Sequence, residues 1–460
     1  MFHEIVRSEG LAHLSYVIGD RGEAAVIDPR RDSRAYVDAA YRQGARITHI
    51  FETHRNEDYV IGSVDLARRT GAKICHGKAL PFRYGMPVSE NDTFTLGSVV
   101  LRVLETPGHT YESISIALAD KASGEEPVAV FTGDALFIGD VGRTDFFPDK
   151  AEEVAGLLYD SIFRKLLPLG DHVILWPAHG AGSVCGGGIS SREFSTLGYE
   201  RKHNPALQKK DRQEFIRHKV SERHYKPPYF KRMEKYNLEG PPPLDELPRP
   251  VPMTVGRFAE AMEEGMLAVD IRSPEAFAGA HIPGTLSIPL DMIPAFAGYL
   301  LPYDRKILLI AQDADDVETA VRCFVRIGYD DLAGYLDGEL RVWETSGRPY
   351  ASIPVLHARD LERRMSSGQK FTLLDVRSED EWRKGHLPGA LHVYLGDLPS
   401  QLDGIPRDCP VTTFCASGRR AIIAASLLRN SGFTQVEDSL GSMSAWRAIG
   451  GKVVAEDKLK

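Results

Sequence analysis

Thr53-His54-Arg55-Asn56-Glu57-Asp58-Tyr59 is the stretch on which the reading of this 460-residue chain turns. An apolar run at residues 47–51 precedes it and reads as a buried strand. A helical pattern over residues 60–69 follows. A strand end that delivers a histidine and an aspartate into a loop is a common place for a metal or active site. The strand fixes the base of the loop, and the loop frees its side chains for binding.

Composition narrows the classes around that stretch. With 43% hydrophobic and 26% charged residues the chain is globular rather than disordered. Its length exceeds one ordinary core, so roughly two to four domains are expected. A formal net charge of −8 argues against nucleic acid as the main partner, because phosphate binding needs a basic face. No uninterrupted apolar run is long enough to span a bilayer, so no membrane partner is expected. Residues 1–10 are mixed polar and carry no signal-peptide core, which points to a cytoplasmic protein. The cysteines at 75, 185, 323, 409 and 415 are odd in number and scattered, and do not form a disulfide framework.

Along the chain, the runs 14–18 and 24–27 flank Gly19-Asp20-Arg21-Gly22 and read as a hairpin, and 34–42 reads as a helix. Further strands are expected at 99–104, 114–118, 128–131 and 173–176, giving a layered α/β unit. Residues 200–235 are charged and helical in pattern. The prolines from Pro241 to Pro252 then read as a stiff linker. The last 200 residues are an internal repeat. Asp270-Ile271-Arg272-Ser273 matches Asp375-Val376-Arg377-Ser378, Gly279-Ala280-His281-Ile282-Pro283-Gly284 matches Lys384-Gly385-His386-Leu387-Pro388-Gly389, and 338–343 matches 441–446.

Three further segments place ligand-type side chains at strand ends: Thr106-Pro107-Gly108-His109-Thr110, Thr132-Gly133-Asp134, and Pro177-Ala178-His179-Gly180. One such histidine means little, but four signals in order are specific. Together they resemble the metallo-β-lactamase superfamily over roughly residues 1–230. The opening stretch resembles its T-H-x-H-x-D-H signature, with Asn56 and Tyr59 where that signature has histidines. Gly133 to Phe137 and Gly142 to Phe146 are most similar to the glyoxalase II and persulfide dioxygenase branch. By that resemblance His54, His109 and Asp134 are metal ligands. Losing the histidines at 56 and 59 leaves Asp58 and His179 as a poor second site. Two histidines and one carboxylate match the facial triad of non-haem Fe(II) oxygenases, so one Fe(II) per chain is expected, although zinc also accepts this set. Asp58 and His179 are expected to orient ligands or water. Tyr59 is read either as a hydrogen-bond donor to the site or as a packed aromatic, Arg143 as bracing its loop with Asp145, and Cys185 either as a carrier of sulfane sulfur or as a small buried thiol. Arg192, Arg201, Lys202 and His203 lie in a segment that resembles the family's substrate-facing cover, and each is read either as a cation for the carboxylates or phosphates of a thiol carrier or as part of a solvated charged helix.

In the second repeat, a strand at 411–414 ends at Cys415 and a helix follows from Ala421. A thiol at such a turn faces backbone N–H groups and a helix N-terminus, which favour thiolate and persulfide. The repeat resembles rhodanese domains. Cys415 is then the sulfur acceptor, with Ala416, Ser417, Gly418, Arg419 and Arg420 forming the persulfide loop and the two arginines adding positive charge. Asp375, Arg377 and Trp446 look structural. In the first repeat Ala311 falls opposite Cys415, and Asp315 and Asp316 replace the basic pair in a loop that also holds Asp313, so that copy is expected to be silent.

The fold expected is α/β: a metallo-β-lactamase αββα sandwich at 1–240, a silent rhodanese-like domain at 252–350 and an active one at 354–456. The function expected is oxidation of a low-molecular-weight thiol persulfide by O2 to sulfite and thiol, coupled through Cys415 to thiosulfate formation or use. A glyoxalase II-like thioester hydrolase and a sulfur carrier without oxygenase turnover are the alternatives. The silent repeat and the resemblance suggest a homo-oligomer.

Overall fold

Alternation along the strands assigns each apolar residue to one of two layers. Strands His13–Asp20 and Glu23–Ile27 form the antiparallel hairpin expected from the glycine-flanked turn. On one face Val17, Ala24 and Val26 pack against Tyr36, Ala39 and Ala40 of helix Arg34–Arg42. On the other, Tyr16, Ile18, Ala25 and Ile27 meet Leu101, Val103, Ile116, Leu118 and Phe131 of a second sheet. The outer face of that second sheet, including Leu104, Ala117 and Val130, buries Leu158, Ile162 and Leu166 in and just after helix Ala151–Ser161. Three apolar layers between four structural ones make the αββα sandwich.

This is a computed structural model that describes residues 1–455; the expected end of the third domain, residue 456, lies outside the described residues. The first sheet runs in chain order from Phe2–Ser8 to Met86–Val88. The second has the order Ser195–Thr196, Ile174–Pro177, Pro127–Gly133, Ile114–Asp120, Val99–Glu105, Thr93–Leu96. The helix after the opening stretch starts at Ser63, three residues later than the sequence pattern suggests. Asn237, on helix Phe230–Glu239, holds the intervening loop open. Its Nδ2 donates to the carbonyls of Asn56 (2.7 Å) and Tyr59 (2.8 Å), and its Oδ1 accepts from the Ile61 N–H (2.9 Å). The charged 200–235 stretch forms separate helices, Leu197–His203, Arg212–Ser221 and the start of Phe230–Glu239.

The chain divides into two compact units, Met1–Leu247 with Val325–Gly328, and Pro248–Phe324 with Tyr329 onward. The second unit holds two parallel sheets built alike. Leu267–Asp270 pairs with Ile307–Ile310 as Thr372–Asp375 pairs with Val411–Phe414. Each repeat locks its first strand end with the same fork. Arg272 binds Asp270 (2.6 Å) and the Ala280 carbonyl (2.8 Å), and Arg377 binds Asp375 (2.6 Å) and the Gly385 carbonyl (2.9 Å). Gly338 and Gly441, at φ 85° and 73°, cap the last helices in a left-handed conformation that favours glycine. The first repeat contributes Phe277, Ala278 and Phe296 to the apolar core of the second. Among the described residues, no helix is long and apolar enough to cross a membrane.

Candidate functional site

Three strands deliver the proposed ligands to one edge of the sandwich. His54 follows Arg46–Glu52, His109 follows Val99–Glu105, and Asp134 follows Pro127–Gly133. Gly133 (φ 52°) permits the close approach, because a Cβ there would sit 2.5 Å from Thr53 Oγ1. Hydrogen bonds fix both imidazole tautomers. Thr53 Oγ1 donates to Asp28 (2.7 Å), so it accepts from His54 Nδ1 (3.0 Å). His109 Nδ1 donates to the Arg143 carbonyl (3.0 Å). Both Nε2 lone pairs therefore face inward. Burial lowers the His54 pKa to about 4 and keeps it neutral.

Four buried atoms at this spot have no hydrogen-bond partner: Nε2 of His54, Oε2 of Glu57, Nε2 of His109 and Oδ2 of Asp134. Asp134 Oδ2 lies 3.7 Å from His54 Nε2 and 3.6 Å from His109 Nε2, and Glu57 Oε2 lies 3.6 Å from His109 Nε2. Each separation is shorter than two metal–ligand bonds of about 2.0–2.2 Å, so one ion can touch both atoms of any of these pairs. Buried lone pairs without donors are costly, and a cation answers all four. The residues present fit a divalent metal.

The second site is the turn after strand Val411–Phe414. The Cys415 thiol is buried, and its Sγ accepts from the Gly418 N–H at 3.1 Å. The Cys415 N–H is held by Ser442 Oγ (3.0 Å) and its carbonyl by the Met443 N–H (3.0 Å), so the loop leans on helix Ser442–Ala448. Gly418 (φ 101°) turns the chain into helix Arg419–Asn430, and a Cβ there would meet the Gly441 nitrogen at 3.2 Å. Both arginines of the loop have carboxylate partners. Arg420 forks onto Glu381 (2.7 Å twice), and Arg419 pairs with Asp291 of the first repeat. Burial would raise the Glu381 carboxyl, but the Arg420 fork holds it at about 2. Both cations are thus spent on carboxylates, and the N–H contact to the sulfur comes from the backbone. In the first repeat Ala311 is buried at the strand end, and Asp313 Oδ1 accepts from the Asp316 N–H (2.9 Å), which makes that acidic loop a helix cap.

Comparison with known proteins agrees with this division. Residues 9–179 match the metallo-β-lactamase superfamily, and residues 254–346 and 357–449 each match the rhodanese-like domain. A crystal structure of a metallo-β-lactamase from Staphylococcus aureus superposes with a TM-score of 0.65 at 35% identity, covering 73% of this chain and 98% of that one. The chain belongs to the metallo-β-lactamase superfamily and carries two rhodanese-like domains. It is 29% identical to the persulfide dioxygenase ETHE1 of Mus musculus over 42% of this chain and 70% of that one. It is 28% identical to the hydroxyacylglutathione hydrolase GloC of Haemophilus influenzae over 43% of this chain and 92% of that one.

In this metallo-β-lactamase unit the region of a second metal is filled differently. His179 Nδ1 lies 2.8 Å from Asp134 Oδ1 and its Nε2 3.1 Å from Asp58 Oδ2. Burial would lower the His179 pKa, but the Asp134 and Asp58 carboxylates raise it well above its ordinary value. An imidazolium gripped on both nitrogens has no lone pair for a metal. Asp58, His179 and Cys185 still bring ligand atoms within 4.8 Å of one another, as do His109, Asp134 and Cys185. Burial, then Asp134 and Asp58, push the Cys185 pKa well up, so it is a thiol. The Tyr59 ring packs on His13 with centroids 4.1 Å apart, and Asn56 Nδ2 donates to the His54 carbonyl (3.2 Å). Arg143 forks onto Asp145 (2.7 Å twice) and donates to the Val184 carbonyl (3.1 Å), which ties the His109 partner to the Cys185 loop. Arg192 stacks on Tyr199 and pairs with Glu200 (3.4 Å), and Arg201 binds Asp171 (3.0 Å).

Sequence reasoning missed Glu57, Glu112, Asn237 and His13. Glu112 Oε1 accepts from the Arg55 N–H (2.8 Å) and Thr110 Oγ1 (2.9 Å), joining the His54 and His109 loops. His13 is fully buried with Nδ1 on Ser8 Oγ (3.0 Å). It lines a cavity of about 270 Å³ that also reaches His179 and Arg192. Glu57 lay in view inside the opening stretch and Glu112 beside the P-G-H-T segment; Asn237 and His13 carried no local signal.

Proposed function

We propose that residues 1–240 form a mononuclear Fe(II) persulfide dioxygenase, held by His54, His109 and Asp134. Residues 354–456 would form a rhodanese that works with it through Cys415, and residues 252–350 a silent partner. One observation carries the reading: three inward lone pairs converge on one spot while His179 is sealed between two carboxylates. Iron in such a site supplies O2 activation and open positions for a sulfur ligand. The chain's own residues set the conditions. Thr53 and the Arg143 carbonyl hold the imidazoles in the binding tautomer, and the buried walls exclude water.

The overall reaction balances as RSSH + O2 + H2O giving RSH and sulfurous acid. At the second site the Cys415 thiolate attacks the sulfane sulfur of a persulfide, the S–S bond breaks and the thiol leaves. Sulfite then takes that sulfur as thiosulfate and regenerates Cys415. A cavity of about 330 Å³ beside Ala416 is lined by Lys384 and Arg447, exposed cations suited to an anionic carrier or to sulfite. The reverse flow, from thiosulfate to a thiol, uses the same groups. The cytoplasmic setting and the homo-oligomer belong to the same proposal.

A second reading, thioester hydrolysis at two metals, draws on the Asp58, His179 and Cys185 cluster. It requires His179 to give up its proton and its contact with Asp58. An oxygen electrode separates the readings. Full-length protein loaded anaerobically with Fe(II) should consume O2 on addition of glutathione persulfide and form sulfite or thiosulfate. Cleavage of a glutathione thioester with two bound metals and no O2 uptake would favour the hydrolase. Sulfur loading of Cys415 without O2 uptake would leave only a carrier.

A further inference from the structure

We propose that Glu57 is a fourth protein ligand of the metal, binding through Oε2 beside His54, His109 and Asp134; this rests on the metal-centre reading above. Glu57 sits in the opening stretch, between the two positions where the superfamily signature has its missing histidines. Its side chain is fully buried, and only one of its oxygens accepts a hydrogen bond. Oε1 accepts from the Arg55 guanidinium at 3.2 Å, and Arg55 is itself held by Glu234 at 3.5 Å. That pair turns the carboxylate edge-on, with Oε2 directed at the ligand cluster and given no donor.

The atom that Oε2 meets is His109 Nε2, 3.6 Å away. The His109 proton is on Nδ1, committed to the Arg143 carbonyl, so a carboxylate lone pair faces an imidazole lone pair. Burial opposes charge on His109, but Glu57 and Asp134 raise its pKa, so without metal a proton can sit between these two atoms, and a bound divalent ion takes that proton's place. Ligand atoms of His54, Glu57 and His109 all lie within 4.8 Å of one another. With Asp134 and Glu57 both bound, two carboxylates balance the charge of a divalent ion. Fewer positions then stay open than in a site with a single carboxylate. The loss of two signature histidines is therefore offset by a carboxylate from the same loop.

The test loads the full chain with Fe(II) or Mn(II) and compares wild type with Glu57→Gln, which keeps the shape, and Glu57→Ala. Chelator competition should show affinity falling by at least the roughly 10-fold that losing an outer partner costs. Water-proton relaxation of the Mn(II) protein should show one more exchangeable water in Glu57→Ala, because water takes the vacated position. Metal-free Glu57→Gln should still fold cooperatively, because it keeps an oxygen for Arg55 and Glu234 still pairs that arginine. Unchanged relaxation in Glu57→Ala would overturn the inference even if affinity fell, because Glu57 would then act from outside the coordination sphere. A wild-type chain that binds no ion would overturn the metal-centre reading and this inference with it.

Discussion

The two rhodanese-like repeats share a skeleton and differ in a loop. Both have the Asp–Arg fork at the first strand end, the left-handed glycine before the last helix, and a buried tryptophan whose Nε1 donates to a carbonyl six residues on, Trp343 to Pro349 (2.9 Å) and Trp446 to Lys452 (3.0 Å). Where one presents Cys415 to the Gly418 N–H, the other has a buried Ala311 and an aspartate capping its helix. The parts that hold the domain and the parts that do its chemistry thus vary separately. The copy with Ala311 at this position packs Phe277 and Phe296 into the core of its neighbour.

The comparison breaks hardest at the nucleophile. Cys415→Ala should abolish thiosulfate sulfurtransferase activity, and adding Ala311→Cys to it should restore none, because the acidic loop at 313–316 repels anions. Recovered activity in the double variant would show that the loops are interchangeable. The forks should behave alike. Arg272→Ala and Arg377→Ala each strand a buried carboxylate and should cost about 3–5 kcal/mol in denaturant unfolding. A loss confined to the second repeat would show that the skeleton is not shared.

A smaller difference lies at Asp438, whose structural counterpart is Tyr335. Burial raises the Asp438 carboxyl to about 7, against its bond from Thr413. The folded state then holds a proton that the unfolded chain releases near pH 4. Stability contributed there is present below that pH and is lost as pH rises to about 7. Asp438→Asn should therefore gain on wild type between pH 5 and pH 8, by up to about 4 kcal/mol for a shift of some three units. Unfolding curves at the two pH values check this, and an equal effect at both would refute it. The smallest effect is expected at Asp291→Ala, which frees Arg419. Both partners are about half exposed, so the loss should stay under about 1 kcal/mol and sulfurtransferase turnover should barely move.

Layers, repeats and the residues of both candidate clusters could be read from local pattern. Alternation gives strand faces, and a histidine, aspartate or cysteine where a strand runs into a loop gives a candidate site. What stayed hidden depends on distant chain. The loop that carries Glu57 is held by Asn237 and its arginine partner by Glu234, both far along the sequence. Nothing near residue 179 announces that both its nitrogens meet carboxylates. The charges of Arg419 and Arg420 looked free because Asp291 and Glu381 lie elsewhere in the sequence.

The central claim is that one iron site makes sulfite and Cys415 consumes it. Product analysis during O2 uptake from glutathione persulfide, in full-length Fe(II)-loaded wild type and Cys415→Ala, tests it most directly. Both should take up O2, with thiosulfate accumulating in wild type and sulfite in the variant. Absence of O2 uptake in wild type, or thiosulfate formed equally by the variant, would contradict the account.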